Sequence, residues 1–107
     1  MNETYYREKV LKLIDRIFVE TGDAKTRIIN CEDTILVAKL ASNSSGVPID
    51  IRHRWNVIWE ELNTENEWAD REGNLIQSSL VSTVTRKKNK TLEKYLLFFL
   101  EEFYRVI

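Results

Sequence analysis

Residues that carry chemistry are scarce in this chain of 107 residues, and each scarcity excludes a class of site. Cys31 is the only cysteine, so the chain cannot form an internal disulfide, and a single thiol does not make a zinc site. Gly22, Gly46 and Gly73 never cluster as they would in a phosphate-binding loop, and no serine is flanked by glycine as in a nucleophile elbow. The sequence therefore predicts no catalytic residue, no cofactor and no metal ion.

The chain also lacks a strong net charge and a long uninterrupted apolar run. Its formal net charge is -1, with 31% charged and 43% hydrophobic residues, so no global attraction to nucleic acid or to an anionic membrane follows. The first residues lack the basic-then-apolar order of a signal peptide, and charges interrupt the last apolar run within about ten residues, too soon to span a bilayer. We therefore expect one cytoplasmic domain, residues 1–107, without a membrane or small-molecule partner.

Residues 92–107 are the most apolar stretch, with eleven of sixteen residues aliphatic or aromatic. No glycine or proline interrupts them, and the run is too long for a typical strand, which predicts a helix. A helix that is apolar around most of its circumference must be covered on most sides. The sequence therefore predicts that the rest of the chain packs around this helix.

Helical periodicity in the preceding segments predicts an all-α domain of four to five helices. The first helix runs from about residue 4 to residue 21, where Gly22 suits its C-terminal cap, and Asp23 suits the start of a second helix that runs to about residue 42. An α+β fold with a hairpin within residues 26–40 is the alternative, because that segment is rich in β-branched residues. The third helix covers residues 49–62. A capping box at residues 64–67 predicts a fourth helix over 64–85, with a break near Gly73 and Asn74 as an equal alternative.

Phe98 is the candidate anchor of a protein interface. On a helical projection it lies among the charged residues of the terminal helix, where a purely structural helix would carry a polar residue. Antiparallel pairing about a two-fold axis would bring Lys94 and Arg105 of one copy near Glu101 and Glu102 of the other. The alternative is that another segment of the same chain, such as the second helix, covers Phe98.

The three tryptophans are dense for a chain of this length. Trp55 lies in the apolar stripe of the third helix, which predicts a core position. Trp59 and Trp68 lie at the edges of their stripes. Because partly exposed tryptophans often anchor interfaces, we expect these two to contribute to protein binding.

Basic residues in two places are candidate phosphate contacts. Arg52 and Arg54 lie in the third helix, two residues apart and therefore on different faces. A charged connector precedes the terminal helix and supplies the remaining four candidates, Arg86, Lys87, Lys88 and Lys90. Together they would give a nucleic-acid interface whose affinity falls with salt, although the overall composition lacks a basic footprint.

The single histidine and an acidic cluster are the residues to consider for catalysis or metal binding. His53 has no predicted nucleophile beside it, so a solvated histidine is expected. Glu67 and Asp70 are three residues apart, as in carboxylate sites for magnesium, but no second helix offers a matching pair. The cluster is therefore expected to form a hydrated surface. Its members are Glu60, Glu61, Glu65, Glu67, Asp70 and Glu72.

These observations together favour a non-catalytic protein-interaction module. Such a module would be a homo-oligomer, an adaptor, or a small inhibitor or immunity-type protein, whose partner is a protein such as a second copy of the chain. The first alternative is nucleic-acid binding through residues 86–90 and the helix over 49–62. The second is an enzyme whose site is completed by a partner chain.

Overall fold

The computed structural model describes residues 3–107, in which six helices and one small antiparallel ribbon measure 44 × 28 × 20 Å. This confirms the predicted all-α class. None of the described helices is both long enough and apolar enough to cross a membrane. The elements in chain order are α1 (Glu3–Ile17), α2 (Ala24–Asn30), α3 (Glu32–Ala41), α4 (Ile49–Leu62), β1 (Trp68–Ala69), β2 (Leu75–Gln77), α5 (Ser79–Arg86) and α6 (Asn89–Val106).

Helix α6 is packed against α1 and α2, and aromatic side chains connect it to α4. The Trp55 ring of α4 stacks on Phe99 of α6, with 5.7 Å between the ring centroids. Helix α1 buries an apolar stripe, with members three or four residues apart, against the same core. Its innermost members are Tyr6, Val10, Leu13 and Ile17.

The segment from residue 24 to 41 forms two helices, where the sequence predicts one long helix or a hairpin. Both predictions are wrong at Cys31, which ends α2 and begins α3 with φ -108° and ψ 18°. The bend lets Ile28 and Ile35 remain fully buried on either side of Cys31. It also places Glu32 and Asp33 in the first turn of α3, where the helix dipole favours negative charge.

Residues 64–77 form a loop and a two-stranded ribbon, so the predicted fourth helix over 64–85 is wrong over residues 64–78. The Asp70 side chain accepts hydrogen bonds from the backbone N–H groups of Glu72 and Asn74, both at 2.9 Å, which competes with a helix. Gly73 has φ 86°, a left-handed conformation that suits glycine. The turn therefore lies where a break was the predicted alternative, and α5 begins after its N-cap, Ser78.

Helix α1 ends at Ile17, four residues before the predicted end, and a turn follows. Asp23 is the N-cap of α2, as predicted, because its side chain accepts from the N–H of Thr26 at 2.9 Å. The side-chain amide group of Asn89, the first residue of α6, also binds at the start of α2. It donates to Asp23 at 3.1 Å and accepts from the Lys25 N–H at 2.9 Å. The starts of α2 and α6 are thereby joined.

Candidate interaction surfaces

Phe98 is buried, so the prediction of an exposed anchor at this position is wrong. Only 8% of the residue is exposed, and its ring lies edge-on to Trp55 at 5.1 Å and to Phe99 at 5.8 Å. The guanidinium group of Arg54 lies over the outer side of the ring, 5.9 Å from its centroid. The covering segment is therefore part of the same chain, and it is α4 rather than the second predicted helix.

Glu102 is also buried, although the sequence predicts it at the charged rim of an interface. Its carboxylate accepts from the Tyr6 hydroxyl at 3.0 Å and from the guanidinium group of Arg54. The Nε atom of Arg105 lies 3.4 Å from the same carboxylate. The Trp55 indole N–H donates to the Tyr6 hydroxyl at 2.7 Å. A chain of polar contacts therefore connects α1, α4 and α6 inside the core.

Burial perturbs both titratable groups at the centre of this network. Desolvation raises the pKa of the Glu102 carboxyl above its usual range, while the Tyr6 hydroxyl and Arg54 oppose the shift. Desolvation also raises the pKa of the Tyr6 phenol, and the hydrogen bond from Trp55 opposes that rise. The Tyr6 hydroxyl therefore keeps its proton and remains a donor to Glu102. We interpret the network as a structural connection between three helices.

The other charged residues predicted at the rim lie at the surface of α6. Lys94 pairs with Glu61 of α4 at 3.2 Å, and the Tyr95 hydroxyl donates to the same carboxylate at 2.8 Å. The pKa of Glu61 is lowered, mainly by the Tyr95 hydrogen bond and also by Lys94. Glu101 is exposed and has no ion-pair partner within residues 3–107. A negative charge on α6 is therefore available to a second molecule.

The exposed apolar face of α6 is a different one from the face predicted. Leu97, Tyr104 and Ile107 are 59–64% exposed, and Leu100 is partly exposed between them. They lie at spacings of three and four residues along one side of the helix. Phe18, which follows α1, borders them. It lines a surface groove of about 310 Å³ together with Glu93, Leu96, Leu97 and Leu100. A large apolar surface therefore adjoins Glu101.

The two candidate tryptophan anchors have different environments. Trp59 is half-buried and packs on the core, and its carbonyl oxygen accepts from the Asn63 side chain at 2.8 Å. Trp68 is 62% exposed in β1. It lines a cleft of about 440 Å³ between the ribbon and α5, with Gln77 and Arg86 among the other lining residues. Trp68 is therefore the tryptophan that remains accessible to a partner.

Half of the candidate phosphate contacts are already engaged within the chain. Arg54 binds Glu102, Arg86 pairs with Glu65 at 2.9 Å, and Arg52 donates to the Val47 carbonyl oxygen at 3.4 Å. The remaining candidates form a run before and within the first turn of α6. They are the half-buried Lys87 and the exposed Lys88 and Lys90. If these three lysines alone bound phosphates, the affinity for nucleic acid would depend less on salt than it would with all six predicted contacts.

The single histidine and the acidic cluster are at the surface. His53 is exposed and lines a shallow apolar pocket of about 240 Å³ with Arg54, Val57, Ile58 and Phe98. Within residues 3–107 no group of three or more histidine, cysteine or carboxylate side chains is arranged to hold a metal ion. Asp70, at the ribbon turn, has a lowered pKa because the backbone and side chain of Asn74 donate to it. Its role in the described structure is to stabilise the turn.

Comparison with known proteins identifies no relative of this chain. No protein-family model matches it, and neither a curated protein sequence nor a solved structure does so.

Proposed function

We propose that the chain is a non-catalytic protein-interaction module that self-associates through the outer face of α6. The observation that supports this is a row of apolar side chains on α6 and its C-cap, in which Leu97, Tyr104 and Ile107 are exposed and Leu100 is partly exposed, with Phe18 at its border. Single exposed apolar residues are ordinary at a protein surface, whereas a contiguous group of this kind is typical of an interaction site.

The expected affinity is modest. Full burial of one large apolar side chain contributes about 1.5–3 kcal/mol, and these side chains are already partly covered. Two copies in a two-fold contact contribute eight such side chains, or about 6–12 kcal/mol if half of each remains to be buried. Association itself costs at least about 4 kcal/mol. At that minimum cost, about 2–8 kcal/mol favours the dimer, so its dissociation constant is micromolar at the tightest.

Charges beside the apolar row favour a second copy as the partner. Lys94 and Glu101 are seven residues apart on α6, so they lie on the same side of the helix. In an antiparallel pair, Glu101 of one copy faces Lys94 of the other, and the two-fold axis repeats the contact. Glu101 has no ion-pair partner within residues 3–107, and Lys94 is 57% exposed despite its contact with Glu61. The arrangement is therefore self-complementary, which favours one orientation of pairing.

Analytical ultracentrifugation of the wild type and of Leu97→Asp tests the proposal. The wild type should show a mass that rises with concentration into the high micromolar range, whereas Leu97→Asp should remain a folded monomer, since the carboxylate would be buried in the contact. Leu40→Asp is the matched control, because Leu40 is 56% exposed on α3. It should associate as the wild type does. A monomeric wild type, or equal association of all three proteins, would contradict the proposal.

A further inference from the structure

The ribbon formed by β1 and β2, residues 68–77, presents apolar side chains without a core of its own. Trp68, Leu75 and Ile76 are 53–62% exposed, and none of the residues in β1 or β2 is buried. An isolated two-stranded hairpin is only marginally stable in water. Three large apolar side chains that stay exposed on such a hairpin therefore add little to the stability of the fold. The exposure instead suits contact with another molecule.

The ribbon is attached to α5 at its base and closed by a hydrogen-bonded turn at its tip, which orders these side chains before any partner binds. At its base, Glu65 donates its N–H to the Thr83 hydroxyl at 2.9 Å, and its carbonyl oxygen accepts from the Ser79 hydroxyl at 2.6 Å. At its tip, the backbone N–H of Asp70 donates to the Asn74 carbonyl oxygen at 2.9 Å. Ordering a surface in advance lowers the entropic cost of binding.

The charges at the ribbon specify the chemistry of the partner. Glu67, Asp70 and Glu72 are exposed around the apolar side chains, and Arg71 is the cation among residues 67–77, which leaves a net charge of -2. Arg86 in the adjoining cleft is paired with Glu65, so this ion pair leaves that net charge unchanged. Hydrogen bonds from Asn74 lower the pKa of Asp70, which favours the charged form of this carboxyl. Such a rim repels anionic membranes and nucleic acids and attracts a basic surface.

We infer that the ribbon is a docking arm for a second protein whose contact surface is apolar and bordered by lysine and arginine. Trp68 is the central anchor, because it combines the largest apolar area with a position beside the cleft to α5. This site is separate in the chain from the α6 face, so one molecule would have two binding surfaces. The inference stands whether or not α6 mediates self-association.

Selection from a phage-displayed library of random dodecapeptides tests this inference. The full chain is the bait, and the enriched peptides should combine aliphatic or aromatic residues with lysine and arginine. Synthetic copies of these peptides should bind Trp68→Ala about tenfold or more weakly than the wild type. Glu67→Lys should also weaken binding, since it reverses a charge at the rim. Tyr104→Ala is the matched control, because Tyr104 is an equally exposed aromatic residue on α6, and it should bind like the wild type.

Several outcomes would overturn the inference. These are no enrichment, enrichment of acidic peptides, or peptides that bind Trp68→Ala as tightly as the wild type. Loss of self-association in Trp68→Ala but not in Tyr104→Ala would identify a second copy as the occupant of the ribbon. Co-sedimentation with phosphatidylcholine vesicles that depends on Trp68 would identify a lipid surface. Failure of the α6 proposal appears separately, as a wild type that remains monomeric in the centrifuge.

Discussion

The hydroxyl group of Tyr6 lies 3.0 Å from the carboxylate of Glu102, although the two residues are 96 positions apart in the chain. The contact joins the first and last helices inside the core. The burial of Glu102 is costly for a carboxylate, and the contacts with Tyr6, Arg54 and Arg105 offset that cost.

Tyr6→Phe should destabilise the fold by about 1–3 kcal/mol, because it leaves the buried Glu102 carboxylate and the Trp55 indole N–H with one partner fewer. Urea unfolding measures the loss. Tyr5→Phe is the control, since Tyr5 is exposed on the same helix, and it should change the free energy of unfolding by less than about 0.5 kcal/mol. Equal effects of both substitutions would show that the buried network does not stabilise the fold.

Stability should fall at alkaline pH, because burial raises the pKa of Tyr6 and of Tyr95 in the folded chain. The unfolded phenols lose their protons near pH 10, whereas the folded ones keep them. Their contribution is therefore fully present below about pH 10 and is lost as the pH rises beyond it. Urea unfolding at increasing pH should show this decline in the free energy of unfolding. In Tyr6→Phe the free energy of unfolding should fall less steeply with pH. The same slope in both proteins would contradict the assignment to Tyr6.

Leu13→Ala should destabilise the chain by about 2–5 kcal/mol, since Leu13 is fully buried in the stripe of α1 and its truncation leaves a cavity. Leu36→Ala is the matched control, because Leu36 is 37% exposed on α3. It should cost less than half as much in urea unfolding. A loss under about 1 kcal/mol for Leu13→Ala would place that side chain outside the core.

Charge reversal tests the orientation of the proposed dimer. Lys94→Glu and Glu101→Lys should each weaken association, because each sets like charges against each other across the two-fold axis. The double variant should recover most of the wild-type affinity, and a double-mutant cycle of dissociation constants measures the coupling. Additive losses without recovery would exclude the antiparallel pairing of these two residues, even if α6 were the interface.

Local periodicity was enough to identify which residues of the first helices enter the core. Ile28, Cys31, Ile35 and Ala38 follow one helical stripe in the sequence, and all four are buried despite the bend between α2 and α3. When a helix has a polar face opposite an apolar stripe, only the apolar side can face the core, so the pattern predicts which residues are buried. The same argument predicted the burial of Trp55 in α4.

Residues 64–77 show where competing local preferences defeated periodicity. Trp68 and Leu75 are seven residues apart, a helical spacing, yet they lie on two paired strands. The side-chain bonds of Asp70 and the left-handed conformation of Gly73 favour a turn between them. The sequence contains these turn-favouring residues, but it does not show whether their preference for a turn outweighs the preference of the capping box for a helix.

The sequence by itself determined that α6 is the apolar helix around which the chain packs, but only the tertiary structure decided which of its faces is left outside. Its apolar residues surround most of the helix, so their spacing does not predict which face is buried. The charges near Phe98 were the remaining basis for that prediction. Glu102 is buried where it binds Arg54 of α4 and Tyr6 of α1, which are 48 and 96 residues away in the sequence. In this orientation of α6, Phe98 is buried and Leu97 is exposed. Contacts between such distant residues depend on how the helices pack, and no local spacing encodes them.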